Sequence, residues 1–123
     1  MQVMDKKPVL GIVGPCGAGK TTLIRLLQPY PISTRHIAQE HSYVATMWQR
    51  VIHPDILIFL GASYPETIRR RQLNWTLEEY QEQLRRLAHA RQNASFYILT
   101  DGLSPQDILI QVLDFLQKAG IQV

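Results

Sequence analysis

A chain of 123 residues has the length of one ordinary domain, and 46% apolar with 19% charged residues is a globular rather than a disordered composition. The formal charge of +3 suits a polyanionic ligand, and without a lysine-rich tail specific binding of nucleic acid is not expected. A single cysteine excludes an internal disulfide and no apolar run is long enough to span a bilayer, so a cytoplasmic protein with no membrane association is expected.

The leading segment Met1 to Lys7 lacks the apolar stretch of a signal peptide, which adds to that expectation. Val9 to Val13 is a short continuous apolar run, the pattern of a strand buried on both faces in a parallel sheet. Leu23, Ile24, Leu26 and Leu27 then form the apolar side of a helix beginning at Lys20, which Pro29 and Pro31 end. Arg35 to Ala38 reads as a short second strand. Tyr43 to Val51 reads as a helix with Val44, Met47, Trp48 and Val51 on one face. Ile56 to Leu60 is the clearest buried strand.

Ser63 followed by Pro65 and Glu66 is a capping-box pattern opening another helix, and Thr76 with Glu79 repeats it before a longer one over about Leu77 to Arg91. Phe96 to Leu99 is the last predicted strand. Ser104 and Pro105 open a final helix that Gly120 stops. No linker or repeat divides the chain, so residues 1–123 are expected to form one domain. Strands alternating with helices predict an α/β class, a three-layer α/β/α sandwich with a parallel sheet of about four strands.

One motif carries specific chemistry. Gly14, Pro15, Cys16, Gly17, Ala18, Gly19, Lys20 and Thr21 match GxxxxGK[ST] in full, and Thr22 adds a second hydroxyl. Glycines let the backbone approach phosphates closely, successive N–H groups then face one concavity, and the helix start adds partial positive charge. Lys20 is placed to reach the β- and γ-phosphates of a nucleoside triphosphate. The Thr21 hydroxyl is the expected Mg²⁺ ligand. Cys16 occupies a variable position and reads as a filler.

On these residues the chain resembles the P-loop NTPases. Two further segments resemble the small nucleoside and nucleotide kinases of the thymidylate kinase kind. One runs from Pro54 through Leu60 to Glu66 and Arg69, Arg70 and Arg71; the other from Tyr97 through Gly102 and Ser104 to the last helix. The resemblance implies a P-loop NTPase fold, an arginine-bearing lid, and ATP as the default nucleotide. It departs from the pattern in having no clear lid and no Asp-Arg pair after an inner strand, and Gly61 stands where relatives often carry an acid.

Other groups are placed by topology, since ligands of open α/β sheets sit beyond the carboxyl ends of the strands. Glu40 follows the second strand at that end and is the candidate for a water-mediated Mg²⁺ ligand or a base. Asp55 lies at the opposite end and reads as a turn or cap residue, and Asp101 as a turn former. At least one of Arg69, Arg70 and Arg71 is expected to close over the nucleotide, while Arg70 can also pair with Glu66. Arg35 is a candidate acceptor contact, and Trp48 and Trp75 read as packing residues rather than base stackers. The four histidines show no metal-ligand spacing on a helix.

The function expected is a compact kinase-like phosphotransferase or NTPase that binds Mg²⁺ with ATP or another NTP and acts on a small-molecule acceptor or water. The alternative is a nucleotide-dependent switch with little catalysis. A homo-oligomer is compatible with either.

Overall fold

The computed structural model of the protein describes residues 7–71 and 74–123, the side chain of Arg71 lying outside that set. Its strands are β1 (Val9–Val13), β2 (Ser33–His36), β3 (Ile56–Gly61) and β4 (Phe96–Leu99), all parallel, in the spatial order β2-β1-β3-β4. The helices are α1 (Lys20–Leu27), α2 (Met47–Arg50), α3 (Tyr64–Arg71), α4 (Leu77–Gln92) and α5 (Pro105–Lys118). A 3-10 turn spans Gln39–His41. The α/β class with a four-stranded parallel sheet is therefore as the sequence predicts. No helix among the described residues is long and apolar enough to cross a membrane.

Side chains of a strand alternate between the two faces of a sheet, and here each face meets its own core. Leu10, Ile12, Ile58, Leu60 and Ile98 pack with Leu23 and Leu27 of α1 and with Ile108, Val112 and Leu116 of α5. On the opposite face Val13, Leu57 and Phe59 pack with Trp48 of α2 and with Leu87 and Ala90 of α4. The near-continuous apolar character of β1 and β3 follows from this double coverage.

β1 pairs with β2 on one side and β3 on the other, so the chain reverses its direction of travel across the sheet after β2. That reversal opens a crevice at the carboxyl ends of β1 and β3, where α/β sheets take ligands. The glycine-rich loop leaves β1 at this point.

Two expected elements shift. The helix expected over Tyr43 to Val51 is confined to Met47–Arg50. The side-chain amide of Gln39 explains it: Nε2 donates to Val44 O at 2.8 Å, and Oε1 accepts from Trp48 N–H at 2.8 Å. Those are the two groups that an earlier helical turn would join to each other, so the glutamine replaces that bond. The second strand begins two residues before its expected start, at Ser33, because the Ser33 N–H pairs with Pro8 O and starts the ladder with β1 there.

The capping boxes divide. Thr76 and Ser104 each accept from the residue three ahead, whose carboxylate returns to the cap N–H. At Ser63 the box is half made. Ser63 Oγ accepts from Glu66 N–H at 3.4 Å, but the Ser63 N–H goes to Asp101 Oδ1 at 2.9 Å and Glu66 turns to the arginines.

Candidate nucleotide site

The loop between β1 and α1 curls rather than extends. Gly14 is buried against β3: a Cβ there would overlap the backbone carbonyl of Leu60, so the chain passes where only glycine fits. Gly19 sits at the N-cap of α1 with φ 98° and supplies no side-chain cap. Leu23 N–H donates to Gly19 O at 3.0 Å as the first helical bond, so the amides just ahead of it lack an intrahelical acceptor.

Lys20 opens α1 with its side chain folded back under the loop. Its Nζ donates to Gly14 O at 2.6 Å, Pro15 O at 3.1 Å and Glu40 Oε2 at 2.8 Å. Both ends of the ion pair are buried, at 6% and 3% side-chain exposure. Such a pair holds only because the ammonium's donors are satisfied. Glu40 Oε1, in contrast, is buried with no hydrogen-bond partner among the described residues. Glu40 follows β2 and lines the cavity beside the loop. Its pairing with Lys20 could not be read from spacing.

The 3-10 turn that carries Glu40 is fastened to α4. Gln39 Nε2 also donates to Arg86 O at 3.2 Å, and Arg86 Nη1 donates to Glu40 O at 3.3 Å. Helix α4 holds the loop as well: Cys16 N–H donates to Gln83 Oε1 at 2.9 Å and Gln83 Nε2 donates to Cys16 Sγ at 3.2 Å. Cys16, read from sequence as a filler, is thus a fixed point, and its Sγ lies 3.7 Å from His41 Nε2.

Above the loop is a cavity of about 630 Å³ lined by residues from Cys16 to Leu23, with His36, Glu40, His41, Arg69 and Arg70 around it and Leu103, Pro105 and Ile108 as an apolar wall. Gly14 and Pro15 lie behind this lining and contribute carbonyls to Lys20. Thr21 and Thr22 face the cavity from the first turn of α1.

Of the three clustered arginines, Arg70 reaches the loop. Its Nη1 donates to Thr100 Oγ1 at 2.7 Å and approaches Gly17 O and Ala18 O at 3.4 and 3.5 Å, while Nη2 donates to Thr100 O at 2.6 Å. Its Nε pairs with Glu66 Oε2 at 2.8 Å. Arg69 is exposed and also binds Glu66. The side chain of Arg71, included in the expectation, lies outside the described residues.

These pairings act on Glu66. The hydrogen bond from Arg69, together with Arg70, holds its carboxyl at about 2, against partial desolvation that pushes the other way. A depressed acid contributes stability above its unfolded pKa and loses it as pH falls through the folded one. The window here is from about 4.5 down to about 2. A carbon-detected titration of Glu66 should give a midpoint near 2; a midpoint near 4.5 would mean that the arginine fork is not formed in solution. His36 at the cavity edge is held below its ordinary pKa, by burial first and then by the Lys20 ammonium, with Glu40 opposing and His41 adding to the decrease.

Other candidates lie elsewhere. Arg35 is exposed on β2 and outside the lining. Asp55 accepts from Val9 N–H at 2.7 Å at the far end of the sheet. Trp48 is buried against α4 with its indole N–H on His89 Nδ1 at 3.1 Å, and Trp75 donates to Thr67 Oγ1 at 3.2 Å, so neither tryptophan faces the cavity. Sequence reasoning missed Gln83 and Thr100. Gln83 had a signal: it stands one turn before Leu87 on the inward stripe of α4, where a polar residue needs a partner. Thr100 had none, since a threonine after a strand is ordinary. Compared with known proteins, the chain matches no family model and no curated protein.

Proposed function

We propose that the cavity binds the polyphosphate of a Mg²⁺–nucleoside triphosphate, and that the protein is a compact P-loop NTPase of the kinase-like kind acting on a small molecule or on water. The observation that carries this reading is the buried Lys20 ammonium beneath a loop whose helix-start amides are uncapped. An ammonium and a helix start without a side-chain cap, both lining one cavity, suit a multiply charged oxyanion. The cavity volume of about 630 Å³ lies within the range of small-molecule sites.

The residues present fit a hard cation. Thr21 offers a hydroxyl on the cavity wall, and Glu40 offers the buried carboxylate oxygen that has no partner among the described residues. Mg²⁺ held there, directly or through water, would neutralise phosphate charge. Lys20 then serves the phosphates by exchanging Gly14 O, Pro15 O and Glu40 for phosphate oxygens. Arg70, already at the loop carbonyls, supplies a second cation as charge develops on the transferred group. Leu103, Pro105 and Ile108 give an apolar surface for the remainder of the ligand.

A second reading, a nucleotide-dependent switch, is favoured by one observation. Among the described residues the cavity lining holds a single carboxylate, Glu40, and it is bonded to Lys20 instead of standing free as a base. Calorimetry with ATP, GTP and deoxynucleotides, with and without Mg²⁺, tests the shared claim. Micromolar binding that needs Mg²⁺ is expected, and no heat with any triphosphate refutes both readings. Turnover in the presence of candidate acceptors separates the phosphotransferase from the switch.

A further inference from the structure

We propose that Cys16, Glu40 and His41 form a binding site for a thiophilic divalent cation of the Zn²⁺ class at the edge of the glycine-rich loop. One donor atom from each residue lies within 4.8 Å of the other two. Cys16 Sγ is 3.7 Å from His41 Nε2, and that nitrogen is 3.8 Å from Glu40 Oε2. Tetrahedral zinc with ordinary bond lengths to sulfur, nitrogen and oxygen sets its donors about 3.4–3.6 Å apart. The two edges at His41 exceed that by a few tenths of an ångström, and the third, from Cys16 Sγ to the Glu40 carboxylate, lies within 4.8 Å, so closing on a cation draws the three donors together.

A second, independent observation points to a ligand here. Glu40 spends Oε2 on Lys20, yet Oε1 is buried without any donor among the described residues. A buried carboxylate oxygen left unpaired is costly, and a cation ligated by Oε1, the oxygen not engaged by Lys20, removes that deficit.

The donors are also held in place before any cation arrives. Gln83 clamps Cys16 by both its backbone N–H and its sulfur. Gln39 and Arg86 fasten the turn that carries Glu40 and His41 to the same helix. Support of this kind from surrounding hydrogen bonds is what orients metal ligands. The His41 side chain is 60% exposed, so solvent reaches the site and can fill a fourth position.

A thiolate and an imidazole select zinc-like ions, whereas Mg²⁺ prefers all-oxygen shells. On binding, the Cys16 thiol gives its proton to solvent as the sulfur–metal bond forms, and nothing is oxidised or reduced. The site does not depend on nucleotide binding. It sits beside Lys20, however, and shares Glu40 with it.

Cobalt(II) is the probe that tests the site, titrated into tag-free, reduced protein without nucleotide. Cys16 is the chain's one cysteine, so a thiolate-to-cobalt charge-transfer band in the near ultraviolet reports on this position alone. One cobalt per chain is expected, displaced by Zn²⁺. Cys16→Ser should abolish the band. His41→Ala, at an exposed side chain that should leave the circular dichroism unchanged, should weaken cobalt binding by at least about tenfold. Absence of the band in the wild-type protein, or wild-type cobalt affinity in His41→Ala, would overturn the proposal.

Discussion

Lys20→Ala is expected to weaken triphosphate binding by roughly 30-fold to several thousand-fold, corresponding to the about 2–5 kcal/mol that removal of a buried charge partner costs. The same change should also destabilise the fold. Lys20 neutralises Glu40, whose side chain is 3% exposed, and its loss strands a buried carboxylate. Breaking such a pair costs about 3–5 kcal/mol, a large share of a small domain's stability. Loss of binding in Lys20→Ala alone could therefore reflect unfolding.

The double variant Lys20→Met with Glu40→Gln separates the two effects. With both charges gone the burial penalty largely disappears, so urea denaturation should return towards wild type while triphosphate affinity stays low. A single Lys20→Ala variant as stable as wild type would refute the buried pair. A double variant that binds triphosphate normally would remove Lys20 from phosphate recognition.

Gly14→Ala should be the most damaging substitution in the loop apart from that of Lys20. The added methyl meets the Leu60 carbonyl, which is backbone within a strand paired to β1 from Leu10↔Ile56 to Val13↔Phe59. No flexible side chain can move aside, so either the sheet opens or the loop lifts. Overpacking of this kind costs about 1–3 kcal/mol, and a lifted loop would lose triphosphate affinity as well. Gly19→Ala is the comparison. Its φ of 98° disfavours a side chain, but nothing among the described residues lies within 4 Å of the added carbon. Strain alone costs about 1–2 kcal/mol there. Urea midpoints should place Gly14→Ala below Gly19→Ala, and the reverse order would mean that the close approach to β3 is not what makes Gly14 necessary.

Helix α4 illustrates how this site is supported. Gln83 holds the loop and Arg86 holds the Glu40 turn, so one helix sets the spacing between Cys16, Lys20 and Glu40. Neither residue belongs to the glycine-rich motif. Arg86 pairs with Glu82 one turn earlier, as a solvated arginine on a helix face does. The guanidinium nonetheless reaches the Glu40 carbonyl and stacks over the Tyr43 ring at 4.3 Å.

The amino-acid sequence by itself determined β1 and β3, because a strand buried on both faces must be apolar along its length; β4 also reads as an apolar run, although at the sheet edge it leaves Tyr97 and Leu99 exposed. It determined the starts of α4 and α5, where cap residue and returning carboxylate lie three positions apart. It also specified the glycine-rich turn before Lys20, since positive φ and close backbone approach confine residue choice locally. Only the tertiary structure decided the limits of α2, because the Gln39 amide competes with a local helical bond from outside it. Only folding, too, set Glu40 against Lys20, His41 against Cys16, and Arg70 against the loop, at sequence separations of 20, 25 and 52 to 53 residues. Charged and polar side chains carry no periodic signal of their partners, and their pairing follows from where the parallel crossovers bring the strand ends together.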